Sequence, residues 1–451
     1  MDRAMPQETS APCKGFTIDV EPYIKAVSSV QTVRSCGIVN QVIGMVLEGR
    51  GPGMPVGAIC KVEVRGSESL LAEVVGFKEG KVLLMPLGEM RGIEPGGKIW
   101  ISEQGAGVDV GFGLLGRVLN GLGEPIDSSG PLEPDGRYPL YAEPLNPMDR
   151  PRIDEPVDVG IRAINACLTL GKGQRIGIMA GSGVGKSTLL GMIARHTSAD
   201  VNVIALIGER GRELRDFIER DLGTDGLSRS VVIVATSDQP PLIRLRGAYL
   251  ATAVAEYFRD KGKDVILMMD SVTRFAMAHR EVGLAVGEPP TAKGYTPSVF
   301  AELPRLLERT GRKDGAGSIT GIYTVLVEGD DMNEPVADAL RSIVDGHVVL
   351  DRKLAHQGHF PAIDILSSVS RVFRDVASME QLQAHDRLIK VLATYRQAED
   401  LVNLGAYSKG TNPEIDFALQ NIEAIRNFLR QEVSEASGLK ESISALTDIF
   451  D

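Results

Sequence analysis

Short apolar runs broken by glycine fill residues 31–105: CGIVNQVIGMVLEG, GAICKVEVRG, LLAEVVGF, KVLLMPLG and KIWIS. Their Val, Ile and Leu content and their Gly, Pro or charged boundaries predict strands, and the even spacing predicts a small closed barrel or sandwich. From 106 to 375 the texture changes. QRIGIMA leads to STLLGMIARH, VNVIALIG to ERGRELRDFIERDL, SVVIVATS to AYLATAVAEYFRDKG, and DVILMMD to SVTRFAMAHREVG. Each unit is an apolar run of the doubly buried kind followed by a helical pattern, which predicts an α/β domain with a parallel sheet. Over 376–451, SMEQLQAHDRLIKVLATYRQAEDLVNL and PEIDFALQNIEAIRNFLRQEVSEASGLKESISALTDIF carry apolar residues three to four apart, which predicts a helical domain. Residues 1–30 begin polar and Pro-containing, and a short amphipathic helix is expected around DVEPYIKAV. That segment reads equally as a frayed terminus or as a partner-docking segment.

Charge and cysteine content narrow the function. The net charge is -11, and no basic block of five or more residues occurs. A nucleic-acid binder ordinarily shows a basic field. A small barrel can bind single strands through exposed aromatics, but only Phe77 and Trp100 are available, so a structural barrel and no nucleic-acid partner are expected. Cys13, Cys36, Cys60 and Cys167 form no C-x-x-C pair, which fits a reducing cytosol better than a disulfide or zinc framework. No signal-peptide core and no run approaching 18 apolar residues is present, so any membrane contact is expected to be peripheral.

The chemistry centres on AGSGVGKS, residues 180–187. It matches the phosphate-loop pattern G-x-x-x-x-G-K-[ST] except that Ala180 stands where the first glycine belongs. The stretch lies between a predicted strand and a predicted helix, as the motif requires. Gly181, Gly183 and Gly185, with Ser182 and Val184 between them, let backbone N–H groups curl around phosphate oxygens. The helix N-terminus adds its positive end, and Thr188 falls in its first turn. Lys186 can reach the β- and γ-phosphates, and the Ser187 hydroxyl can ligate Mg²⁺. A β-like backbone at 180 accepts alanine without strain; only a positive φ demands glycine.

Two carboxylates complete the expected ATP site. DVILMMD ends at Asp270, which, buried beside the phosphate-loop strand, would hold Mg²⁺ through water; the plain alternative is an exposed strand-end Asp. VNVIALIGERGRE places Glu209 at the C-terminal edge of the sheet, where α/β ligands bind. It is a candidate to orient or deprotonate water, against a plain surface pair with Arg210 or Arg212.

GQRIGIMAGSGVGKSTLL, IALIGERGRE, VILMMDSVTRFA and PAIDILSSVSR occur in that order. Together they resemble the rotary-type ATPases related to the catalytic subunits of ATP synthase. GRVLNGLGEPID is similar to that family's link from barrel to nucleotide domain. GEPPTAKGYTPSVFAELPRLLERTG, IVDGHVVLDRKLAHQGHFPAID and GAYSKGTNPEID resemble the type III secretion branch and its flagellar export members, which share the alanine at 180. The resemblance implies a RecA-like P-loop ATPase core (106–375) with an N-terminal small β-barrel (31–105) and a C-terminal helical domain (376–451). It further implies that Glu209 is the catalytic glutamate, that Arg210 fixes that carboxylate or the γ-phosphate, and that Arg371 is an arginine finger acting on the neighbouring subunit's ATP. Phe360 falls where the family sets an aromatic against adenine.

Because one chain carries Lys186, Glu209 and Arg371 together, a homohexamer is expected. The Gly/Pro-rich stretch GLAVGEPPTAKGYTPSVF is expected to face the ring channel and meet a coiled-coil stalk protein or passing substrate. Implied further partners are a stator-like regulator at residues 1–30, chaperones and export substrates, and a membrane export gate, which sets a cytoplasmic protein at the inner face of the membrane. A non-catalytic ring subunit of ATP synthase and a Rho-type RNA translocase are the weaker alternatives.

Overall fold

The computed structural model describes residues 19–29, 35–51, 53–66, 68–102, 107–327, 329 and 331–450. Six short strands, β1 (Cys36–Ile43), β2 (Val46–Arg50), β3 (Ile59–Val62), β4 (Leu70–Lys78), β5 (Lys81–Pro86) and β6 (Lys98–Ile101), close into a barrel in the order β1-β2-β5-β4-β3-β6. Five apolar runs make six strands because CGIVNQVIGMVLEG folds back on itself at Gly44, whose φ of 57° suits a tight turn. Alternate residues fill the interior, including Val39, Leu47, Val62, Val74, Leu84 and Ile99. Phe77 lies on β4 and Trp100 on β6, with β3 between them, so the two aromatics form no common stacking platform.

The main sheet contains β7 (Val118–Asn120), β8 (Arg175–Ala180), β9 (Val201–Ile207), β10 (Ser230–Ala235), β11 (Asp264–Asp270), β12 (Ser318–Leu326), β13 (Gly346–Leu350) and β14 (Val369–Ser370). Their order is β14-β13-β8-β12-β11-β9-β10-β7. All neighbours are parallel except β13 with β14, and the short strand Gly311–Arg312 adds antiparallel to β12. β9, β10 and β12 are buried almost throughout, which explains their continuous apolar text. Four of these strands are the predicted strand–helix units. The other four were not expected; β7 and β14 are only two or three residues long, and β12 and β13 are followed by short helices, Pro335–Ile343 and Arg352–His356. One of them corrects the site geometry: β12 inserts between β8 and β11, so the Asp270 strand is not adjacent to the phosphate-loop strand.

Helices cover both faces, among them α1 (Lys186–His196), α2 (Pro241–Asp260) and α3 (Val272–Ala285). α2 is buried along nearly its whole length. It ties the barrel to the core through Arg246, which donates to Glu73 of β4 at 2.9 Å inside the protein. Tyr141 donates to the same carboxylate at 3.0 Å.

The C-terminal region folds as α4 (Met379–Asn403), α5 (Pro413–Leu429) and α6 (Leu439–Thr447). α4 follows its sequence expectation closely. The second expected helical stretch is instead two helices, because residues 430–438 leave helical conformation and run back to the core. There Gln431 donates its N–H to the Phe360 carbonyl at 3.0 Å and its side-chain amide to the Gly160 carbonyl at 2.8 Å.

The expected N-terminal helix is present over Glu21–Ser29, with Tyr23, Ile24 and Val27 exposed. Residues 1–18 of the segment expected to dock a partner lie outside the described residues. The expected channel stretch is also shorter than its sequence suggests. α3 runs to Ala285 and the next helix starts at Pro297, leaving a connection over 286–296. Glu288 ties that connection down by accepting from the Ser298 N–H at 2.8 Å and hydroxyl at 2.5 Å. Among the described residues no helix is long and apolar enough to cross a membrane.

Candidate ATP site

The loop between β8 and α1 has the geometry of a phosphate cradle. Ala180 is the last residue of β8, in register with Leu326 on one side and Leu350 on the other, and it is buried. Its backbone is extended, so the missing glycine costs nothing. Gly181 turns inward and is buried, Ser182 and Gly183 are exposed, and Val184 anchors the loop in the core. Gly183 (φ 76°) and Gly185 (φ 92°) adopt left-handed backbone that a β-carbon would strain. Gly185 caps α1 without any side-chain hydrogen bond, which leaves the first helical N–H groups directed at the loop. Lys186 opens the helix, Ser187 beside it is exposed, and Thr188 lines the pocket described below.

Lys186 Nζ donates to Asp270 Oδ1 at 2.5 Å and stands 3.5 Å from Glu209 Oε1. Asp270 is 3% exposed at the end of β11, and Thr324 of the intervening β12 donates to it at 2.7 Å. The strand that separates β8 from β11 thus supplies a hydroxyl that orients the carboxylate. Gly208 has φ 70°, and a β-carbon there would fall 2.8 Å from the Arg274 side chain. This tight turn carries Glu209 over the loop. The Glu209 carboxyl is held above its ordinary range by burial first and by the Asp270 carboxylate second, with Lys186 opposing.

The residues present fit a hydrated divalent cation next to phosphate. Glu209 Oε1 is buried without a hydrogen-bond partner, and the buried Asp270 and exposed Ser187 hydroxyl flank the loop. Among the described residues no cluster of three protein ligands forms a self-contained metal cage. Mg²⁺ ordinarily needs none, since substrate phosphates and water supply most of its ligands.

Two expected residues are not brought to the loop. Arg210 caps the helix Gly211–Asp216 and is 77% exposed, pairing with Glu213 one turn on at 3.3 Å. Its guanidinium thus pairs with Glu213 rather than with the Glu209 carboxylate. Arg371 lies at the opposite edge of the sheet. Its N–H donates to the Asp345 carbonyl, and the Asp345 N–H donates to the carbonyl of Arg175, the first residue of β8. β8 is six residues long, so at about 3.3 Å per residue Arg371 is roughly 17 Å from the loop.

The structure adds residues that the sequence did not reveal. A cavity of about 330 Å³ opens above α1, lined by Gly185, Thr188, Met192, Phe360, Pro361 and the chain from Arg430 to Val433. Phe360 is 45% exposed and its ring stands against Gly185. The pocket's far wall comes from the break between α5 and α6, which no local motif marks. Arg274 is the other addition: its stem packs on Gly208 and its buried Nε has no partner.

Comparison with known proteins agrees with this arrangement. The model for the ATP synthase alpha/beta family nucleotide-binding domain matches residues 160–370. That for the family's beta-barrel domain matches 39–99, and that for the T3SS EscN ATPase C-terminal domain matches 377–448. The flagellum-specific ATP synthase of Bacillus subtilis is 54% identical over 94% of this chain and 98% of its own.

The chain belongs to the flagellar and type III secretion branch of the ATP synthase alpha/beta family.

It is an ATPase with a RecA-like core, a β-barrel and a C-terminal helical region. The type 3 secretion system ATPase of Xanthomonas euvesicatoria is 48% identical over 93% of this ATPase and 95% of its own chain. The assembled ATPase EscN of the enteropathogenic E. coli type III secretion system superposes with a TM-score of 0.87 at 46% identity, covering 92% of this chain and 99% of that one. EscN solved in complex with its central stalk EscO gives 0.84.

Proposed function

We propose that this ATPase hydrolyses Mg²⁺-bound ATP in a closed ring of six identical chains, and that the ring powers type III export of flagellar components. The separation of Arg371 from Lys186 across the sheet carries this reading. One chain holds both halves of a site and cannot join them. Head-to-tail contacts that close a ring bring each Arg371 to the next chain's phosphate loop.

Lys186 and the loop N–H groups would hold the phosphates, exchanging the ammonium's contact with Asp270 for phosphate oxygen. Ser187, and Asp270 through water, would hold Mg²⁺, which when bound neutralises phosphate charge. Glu209 would orient the attacking water and take its proton. Phe360 would stack on adenine, while Arg371 from the neighbour would match charge on the transferred group. We assign the barrel to 31–105, the ATPase core to 106–375 and the helical domain to 376–451.

The expected partners rest on the same footing. EscN, similar along nearly its whole length, is described as assembled and as bound to a central stalk, which supports a ring and a coiled-coil stalk partner here. The exposed Tyr23, Ile24 and Val27 support a stator-like regulator at the N-terminal segment. Chaperones, export substrates and a peripheral site at the membrane gate follow from the export role. Injectisome export is the second reading, supported by the Xanthomonas relative. Mixed rings test the proposal. Arg371→Ala chains and Lys186→Ala chains, each inactive alone, should recover activity together, and inactivity of confirmed mixed rings would overturn it.

A further inference from the structure

Behind Arg371 lies a buried polar cluster that the proposed chemistry does not use. Gln174 is 0% exposed, immediately before the phosphate-loop strand. Its side-chain amide donates to the Ser370 hydroxyl at 3.0 Å and to the Asp345 carbonyl at 3.4 Å, the same carbonyl that receives the Arg371 N–H at 2.9 Å. Its Oε1 accepts from the Gly171 N–H at 2.9 Å. The Ser370 hydroxyl in turn donates to the Thr169 carbonyl at 3.2 Å. Gln381, in the first turn of α4 and 1% exposed, donates to the Thr169 hydroxyl at 2.8 Å. Each side-chain donor in the chain is paired. The strand geometry is equally tight, since a β-carbon on Gly346, opposite Ser370, would fall 2.3 Å from the Val369 carbonyl.

The contrast with the guanidinium is the telling feature. Arg371 is exposed, and among the described residues its head makes one long 3.4 Å contact, to the Arg341 carbonyl. The backbone is fixed while the head is left free to enter another site. A buried amide with hydrogen bonds on both ends is an unusual choice where an apolar side chain packs more easily, and such networks specify geometry. Catalytic groups need that kind of support, because displacement by about 1 Å costs roughly a hundredfold in rate.

We infer that Gln174, through Ser370 and Asp345, is the positioning residue for the arginine that each chain lends to its neighbour, and that Gln381 extends this support to the C-terminal helices. The inference rests on Arg371 acting in trans. Gln174 also adjoins the strand that carries its own phosphate loop, so the alternative is an effect on its own ATP. Mixed rings separate the two. Gln174→Met should lower kcat roughly ten- to a hundredfold in assembled rings without weakening binding of a non-hydrolysable ATP analogue. In mixed rings it should behave as a finger variant, recovering activity with Lys186→Ala chains and failing to recover it with Arg371→Ala chains. The reverse pattern, recovery with neither, or wild-type turnover overturns the inference. Ser370→Ala, which removes one hydroxyl, should show the same pattern more weakly and serves where Gln174→Met does not assemble. The Arg371→Ala and Lys186→Ala control pair tests the trans reading itself, so its failure is distinguishable from failure of the Gln174 assignment.

Discussion

Lys186 serves two acids at once, donating to Asp270 at 2.5 Å and standing 3.5 Å from Glu209. One ammonium is shared between two carboxylates, and the Arg274 side chain packs on Gly208 beside Glu209. The closer contact to Asp270 leaves Glu209 the less compensated of the two acids. Glu209→Gln should therefore still bind ATP, since the loop and Lys186 are intact, while turnover falls by about 10²–10⁴. Nucleotide binding and single-turnover hydrolysis measure the two halves separately. Retained turnover would remove Glu209 from the chemistry.

The pH dependence follows from the same cleft. Burial and Asp270 raise the Glu209 carboxyl above its ordinary value of 4.5. Only its deprotonated form can accept a proton from water, so kcat/KM, which reports the free enzyme, should rise with pH along an acid limb above the usual glutamate range. Folding has the opposite sign. A carboxyl whose folded pKa is raised stabilises the fold below its unfolded pKa and loses that stability as pH climbs through the folded one. Glu209→Gln should thus melt at a higher temperature than the parent at alkaline pH, with the gap closing in acid. A melting difference that widens in acid would contradict the assigned direction.

The proposed adenine pocket makes a third prediction. Phe360 stands over Gly185 and walls the cavity with the 430–433 segment. Base stacking on an aromatic is worth about 1–3 kcal/mol, so Phe360→Ala should raise the ATP KM roughly 5- to 150-fold, and Phe360→Trp should raise it little. Because the cavity that Phe360 walls includes neither Glu209 nor Asp270, kcat should change far less than KM. A fall in kcat at constant KM would place Phe360 in another role.

How much of this could be read from the chain differs residue by residue. Lys186, Glu209 and Asp270 were legible because each ends or follows an apolar strand, and a parallel sheet delivers all such ends to one edge. Ala180 was legible as harmless because an extended position tolerates a β-carbon. Thr324 was hidden, since nothing local says that its strand inserts between two others. Arg430 to Val433 were hidden for the same reason: their text continues a helical pattern, and only the return of the chain to Phe360 and Gly160 breaks the helix. Arg210 shows what a motif leaves open, since this neighbour of Glu209 is exposed and pairs with Glu213.

The buried pair Arg309–Glu256 gives the last prediction. Arg309 is 1% exposed and grips Glu256 of α2 with two hydrogen bonds, at 2.9 and 2.6 Å, while its third nitrogen donates to the Leu140 carbonyl at 2.7 Å. It joins the chain entering the core from the barrel, the central helix α2 and the segment leading to β12. Breaking such a pair strands a charge in the interior and costs about 3–5 kcal/mol, whereas replacing both partners by apolar residues of similar size is often neutral. Arg309→Met alone should lower the denaturant midpoint sharply, and adding Glu256→Leu should restore most of the loss, leaving only the unpaired Leu140 carbonyl. Chemical unfolding of the two variants decides the matter. If the double variant is no more stable than the single one, the Leu140 contact rather than the ion pair is what Arg309 contributes.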